Sequence, residues 1–139
     1  MIVLDTNVLS ELMRPQVSEV VEAWVKAQLK TSLFITTITQ AEILYGIFIL
    51  PEGSRKRELR DAAQDLFQKD FVDRILPFNR NAAEHFAAIS SYRRSIGNPI
   101  SQLDAQIAAI CLTHQATIAT RNIKDFANCQ IDIINPWTE

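Results

Sequence analysis

Apolar residues along this chain fall into two kinds of run. Short continuous ones read as buried strands: Ile2-Val3-Leu4, Leu33-Phe34-Ile35, Ile75-Leu76-Pro77-Phe78, Thr117 to Thr120, and Ile131 to Ile134. Pro77 removes a backbone donor, so the third strand is expected at a sheet edge. Between the strands, apolar positions recur at helical spacing. Thr6 or Asn7 starts a short helix reaching Met13, which Pro15 ends. Ser18 opens a second, with Val20, Val21, Trp24, Val25 and Leu29 on one face. Thr39 begins a third, with Ala41, Leu44, Tyr45 and Phe48 inward. Pro51-Glu52-Gly53-Ser54 breaks the chain.

Arg55 to Phe71 reads as one amphipathic helix, with Leu59, Ala62, Ala63, Leu66 and Phe67 on its stripe. Asn79 or Asn81 caps a long helix with Ala83, Phe86, Ala87 and Ser90 on one side, ended by Gly97-Asn98-Pro99. Ser101 opens a last helix burying Leu103, Ile107, Ile110 and Cys111, and Asn122 to Phe126 forms a single turn. Strands alternating with helices predict an α/β fold with a mostly parallel sheet, and paired helices between strands suggest three layers. At 139 residues, a single domain over 1–139 is expected.

Composition narrows the chemistry. Hydrophobic residues make up 47% and charged residues 22%, which suits a folded core and excludes disorder. A net charge of −2 weighs against tight sequence-specific DNA binding but is compatible with a nuclease, whose acids lower the total. Cys111 and Cys129 form no Cys-x-x-Cys pair, so no disulfide framework is expected and a reducing compartment fits. The first residues lack the basic lead of a signal peptide, and the apolar stretch near Ile43 to Leu50 is too short to span a bilayer; a soluble, cytoplasmic protein is expected. The three glycines make no phosphate loop, no Gly-x-Ser-x-Gly element supplies a nucleophile, and His85 and His114 lie in different helices. Arg55-Lys56-Arg57 is expected as a solvated helix start, with contact to nucleic acid or an acidic partner as the alternative.

Four acids remain, each where a strand ends or a helix begins: Asp5, Glu42, Asp104 and Asp125. In an open parallel sheet, ligands bind beyond the carboxyl ends of the strands, so these acids would meet in one pocket. Gathered carboxylates repel unless they bind a cation or protons, and a hard divalent ion with oxygen ligands suits them. Each acid also has a structural explanation. Asp5 would cap the helix after it, although Thr6 and Asn7 cap equally well. Glu42 would close a capping box with Thr39, and Asp104 one with Ser101. Asp125 would be a solvated acid beside Lys124. Asn122 stands where another acid would add charge, and an amide offers only its neutral carbonyl.

These segments together resemble the PIN-domain family. Ile2 to Ser10 is similar to its opening motif, Thr39 to Gly46 to its second acidic motif, Leu103 to Ala109 to its third, and Ala119 to Phe126 to its last. Among PIN proteins, the chain looks most like VapC-type toxins of type II toxin–antitoxin pairs. Arg74 to Phe78 and Asn135-Pro136-Trp137 resemble the FitB-like branch.

The resemblance implies a three-layer α/β/α sandwich with a five-stranded parallel sheet. It implies a Mg²⁺- or Mn²⁺-dependent endoribonuclease, a homodimer, and inhibition by a cognate antitoxin through which alone the toxin meets DNA. Asp5, Glu42 and Asp104 match the family's metal-binding acids. Many members carry Asp where this chain has Asn122, so Asp125 is carried over as the fourth acid. Thr6, Asn7, Thr120 and Asn122 are expected to orient the ligands by hydrogen bonds, and Arg14, Arg121 and Lys124 to hold the RNA backbone. Two other readings stay open. One is a PIN-fold interaction module without catalysis. The other is a Mg²⁺-dependent phosphatase with Asp5 as nucleophile, for which position 7 is Asn7 rather than a second acid.

Overall fold

The computed structural model describes residues 1–139. Five strands form one parallel sheet: β1 (Ile2–Leu4), β2 (Leu33–Thr36), β3 (Ile75–Leu76), β4 (Thr117–Ala119) and β5 (Ile133–Ile134), in spatial order β3-β2-β1-β4-β5. The third strand is an edge strand, as Pro77 predicted. The central strand β1 pairs Ile2 with both Leu33 and Thr117, fixing the register on either side. The chain runs outward from β1 through β2 to β3, then returns to β4 on β1's other flank. The strand order therefore switches between β1 and β4, where a ligand crevice opens in folds of this kind.

Strand side chains alternate between two cores. Val3 and Ile118 point into one, and Leu4 and Ala119 into the other. The first core is roofed by α5 (Arg80–Ser95) and α6 (Gln102–Thr113). The second is roofed by α1 (Thr6–Leu12), α2 (Glu19–Lys26), α3 (Thr37–Phe48) and α4 (Ser54–Asp65). This is the expected three-layer α/β/α sandwich. Burying a Leu, Ile or Phe side chain contributes about 1.5–3 kcal/mol each, so the two apolar layers dominate stability. Cys111 and Cys129 are both buried free thiols, and no helix is long and apolar enough to cross a membrane.

Several local expectations are corrected. The third helix starts two residues before Thr39: Thr36 is its N-cap, and its Oγ1 accepts from the Thr39 N–H at 3.1 Å. Its inward residues are Thr39, Ile43 and Ile47, while Tyr45 is 67% and Phe48 57% exposed. From Ile43 to Phe48 the helix has no polar residue, so that half of the pattern carried no phase information. In α5 the buried residues are Ala82, Ile89 and Arg93, with Ala83 and Ala87 outside; alanines on both faces blurred the stripe. Val20, Leu29 and Leu103 are exposed rather than buried.

The predicted helix from Arg55 to Phe71 begins at Ser54 and gives way to a wider π-turn over Leu66–Asp70, closed by the Phe71 N–H on the Leu66 carbonyl at 2.8 Å. The wider turn keeps Ala63, Phe67 and Phe71 on one buried stripe. Lys56 is not solvated: it is 7% exposed, and its Nζ donates to the Phe48 carbonyl at 3.1 Å and to Glu52 at 2.7 Å. It therefore satisfies an orphan carbonyl at the end of α3, where a cation also suits the helix dipole. Asn79, not Asn81, caps α5, through the Ala82 N–H at 2.9 Å.

Candidate metal centre

Asp5 follows β1 directly, and its N–H is held by the Ala119 carbonyl of β4 at 2.9 Å. The strand-order switch thus presents this carboxylate at the carboxyl edge of the sheet. Its side chain is 5% exposed and receives three protein donors. The Thr6 N–H reaches Oδ1 at 2.8 Å, while the Thr120 hydroxyl and the Asn7 amide reach Oδ2 at 2.7 and 3.2 Å. Asp5 is therefore the N-cap of α1 after all. Capping and ligation are not alternatives here, because a carboxylate has about four lone-pair sites and three are taken. Burial pushes the Asp5 carboxyl up to about 6; the Thr120 and Thr6 donors oppose this, and the charges of Asp104 and Glu42 add to it. A group in that state is poised to exchange its proton for a cation.

Glu42 and Asp104 line the same cleft as Asp5, which encloses about 460 Å³. Because α3 starts at Thr37, Glu42 is free of the expected capping box with Thr39. Its Oε1 accepts instead from the Thr6 hydroxyl at 2.8 Å. Thr6 Oγ1 also lies 3.0 Å from Thr39 Oγ1. A hydroxyl has one proton, so Thr39 donates to Thr6 and Thr6 donates to Glu42. Asp104 keeps half of its predicted box: Ser101 Oγ caps α6 by accepting the Asp104 N–H at 3.2 Å. Burial raises the Asp104 carboxyl, opposed by the Ser101 hydroxyl, while the Asp125 charge raises it and Arg93 lowers it.

The fourth acid is placed differently. Asp125 is exposed, in a short turn over Ile123–Phe126, off the cleft wall that Asn122 lines, yet near enough to Asp104 for its charge to raise that carboxyl. Lys124 is likewise exposed and off the cleft wall, whereas Arg14 and Arg121 are on it. Asn122 is fixed by its N–H on Thr120 Oγ1 at 3.0 Å, and Asn7 receives the Arg121 N–H at 3.3 Å. Thr6, Asn7 and Thr120 each hydrogen-bond Asp5, Thr6 also bonds Glu42, and Thr120 joins the end of β4 to Asp5.

Three contributors escaped the sequence reading. Glu11, 6% exposed, lines the cleft, pairs with Arg14 at 3.3 Å and accepts the Ser18 N–H at 3.0 Å. Its signal was present as a polar stripe of Asn7, Ser10, Glu11 and Arg14 at helical spacing in an otherwise apolar segment. Trp137 is the one hydrophobic residue on the cleft wall. Arg93, 3% exposed, donates to the Asn98 carbonyl at 2.8 Å and the Asp125 carbonyl at 2.5 Å, bracing the turn behind the site. An arginine inside a helical polar run carries no mark of such a role.

The donor set fits a hard divalent ion. All nearby ionisable ligands are carboxylates, and no three His, Cys, Asp or Glu groups converge closely enough to hold one ion jointly. With no His or Cys on its wall the cleft lacks the ligands of a structural zinc site, and its carboxylates suit Mg²⁺, which takes one or two of them and keeps several waters.

Comparison with known proteins agrees with this geometry. The PIN domain profile matches residues 2–130. The chain is 37% identical to toxin FitB of Neisseria gonorrhoeae over 137 residues, covering 99% of each. It is 35% identical to the VapC ribonuclease Y4jK of Sinorhizobium fredii, covering 99% of this chain and 98% of that one. The structure of FitAB bound to an IR36 DNA fragment superposes with a TM-score of 0.93 at 37% identity, covering 99% of this chain and 96% of that one. A central parallel strand ending in a buried aspartate, with Glu11, Glu42 and Asp104 in the same cleft, goes with a profile match over residues 2–130 and near-full-length likeness to these proteins: the chain belongs to the PIN domain family.

Proposed function

We propose that this protein is a Mg²⁺- or Mn²⁺-dependent endoribonuclease and the toxin of a type II toxin–antitoxin pair. The observation carrying this reading is the shared cleft of Asp5, Glu42 and Asp104, with Arg14 and Arg121 on its wall. Asp5 and Asp104 would hold the ion. Bound there, it would neutralise charge on the phosphate oxygens and acidify an attacking water. Thr6 holds one oxygen of Glu42, leaving the other to accept the water's proton. Arg121 and Arg14 would bind the RNA backbone, with Glu11 holding one terminal nitrogen of the Arg14 guanidinium. Asn7 and Thr120 keep Asp5 in place. Asn7 stands where a phosphatase would want its second acid, and its amide is spent on Asp5 and the Arg121 N–H, which disfavours that reading.

The likeness to FitAB on a DNA fragment supports a cognate antitoxin here, with DNA reached through that partner; a homodimeric toxin acting in the cytoplasm belongs to the same reading. One observation favours a second reading, a PIN fold that binds without cleaving: the cleft presents Asn122 where an acid would add charge.

The test is cleavage of a mixed RNA pool with and without Mg²⁺. The purified protein is expected to leave 5′-phosphate and 3′-hydroxyl ends, and Asp5→Asn or Asp104→Asn to lower the rate by more than roughly 100-fold. Cyclic 2′,3′-phosphate ends, or equal cleavage by both variants, would contradict the mechanism. Metal binding without cleavage would leave the second reading.

A further inference from the structure

The cleft wall carries a feature that metal chemistry does not use. Trp137 is its one hydrophobic residue, and the Arg121 guanidinium lies over the indole ring, 5.0 Å from the centroid. Both partners are held from behind. Trp137 packs against the second core, and its backbone N–H donates to Asn135 Oδ1 at 2.9 Å, which fixes the last turn. The backbone N–H of Arg121 donates to Asn7 Oδ1 at 3.3 Å. Arg121 is exposed and has no carboxylate partner among the ion pairs of the protein. A planar cation stacked on an indole, with its hydrogen-bonding edge unspent, offers a flat face to a π-system and donors to an anion.

We propose that the Arg121–Trp137 pair is a stacking platform for a nucleobase of single-stranded RNA next to the phosphodiester in the cleft. This rests on the ribonuclease reading above. The base stacks on the pair, and the guanidinium edge bonds the phosphate of the same strand. Every base has a π-face, so the platform favours unpaired nucleotides without specifying a sequence. It selects loops and single strands over duplexes, whose bases are already stacked.

Trp24 and Trp137 are the two tryptophans of the chain. Trp24→Phe, remote from the cleft, therefore makes Trp137 the sole fluorophore. In Ca²⁺, short oligoadenylate should quench this signal, and an abasic ribose-phosphate oligomer of equal length should bind about 10-fold more weakly, within the roughly 5- to 150-fold worth of one stacked base. Trp137→Leu should lose the same factor and erase the difference between the two oligomers, whereas Trp137→Phe should keep most of it. In cleavage assays Trp137→Leu should raise KM more than it lowers kcat. The abasic comparison needs no substitution at position 137, so a poorly folded variant does not protect the idea. Equal binding of the two oligomers, or quenching by a protein partner alone, overturns the platform. Base-dependent quenching without RNA cleavage would overturn the ribonuclease reading and leave the platform standing.

Discussion

The Thr6 hydroxyl donates to Glu42 across 36 residues of sequence, at 2.8 Å. Thr6 is the first residue of α1, and its backbone N–H is spent on Asp5. One threonine thus orients two carboxylates, Asp5 through its backbone and Glu42 through its side chain. Thr6→Val keeps the backbone bond and removes the hydroxyl. Loss of such an outer partner typically costs 10–100-fold in metal affinity or activity. Calorimetric titration with Mn²⁺, paired with cleavage rates, should show a drop of about that size for Thr6→Val and near-normal values for Thr6→Ser.

Proton linkage at Asp5 gives a second expectation. Its carboxyl is raised to about 6 in the folded, metal-free protein, against about 3.9 when unfolded. The folded state therefore holds the proton more tightly, so stability from this group is full below about pH 4 and is lost as pH rises through about 6. The loss is on the order of 3 kcal/mol. Thermal melts in EDTA should fall over this window for wild type and show a flatter pH dependence for Asp5→Asn. Adding Mg²⁺ at neutral pH should raise the wild-type Tm and leave Asp5→Asn nearly unmoved.

Arg93 is expected to matter for the site without touching it. Its side chain satisfies the carbonyls of Asn98 and Asp125. Arg93→Leu removes both charge-assisted bonds, at roughly 1.5–3 kcal/mol for each. Urea unfolding should show a loss of about 3 kcal/mol, and hydrogen exchange should rise in residues 121–126 before the rest of the chain opens.

At the end of α3, Lys56→Met should destabilise by about 1–2 kcal/mol, because a helix carbonyl loses its donor. Glu52→Gln should leave stability close to wild type, since Glu52 is solvent-exposed. Chemical denaturation of the two variants separates the cap from the ion pair.

The fold was legible because each strand is a short apolar run and β3 carries Pro77. Asp5, Glu42 and Asp104 were legible because strand ends and helix starts converge at one edge of a parallel sheet. Helix faces were less readable. In α3 the run from Ile43 to Phe48 has no polar residue and leaves the inward side to tertiary packing, so Ile43 and Ile47 face the core while Tyr45 and Phe48 do not. The Thr39–Glu42 spacing suggested a cap that Thr36 in fact provides. Asp125 and Asn122 lie three residues apart in an irregular turn, whose side-chain directions no period predicts. Glu11 and Trp137 reach the cleft from opposite ends of the chain, a proximity set by the completed sheet rather than by any local pattern.

Anomalous diffraction from Mn²⁺-soaked crystals tests the central claim most directly. One strong peak in the cleft, ligated by Asp5 and Asp104 and completed by water, is the predicted result. No peak there, or a peak held elsewhere on the surface while these carboxylates stay unligated, would contradict it.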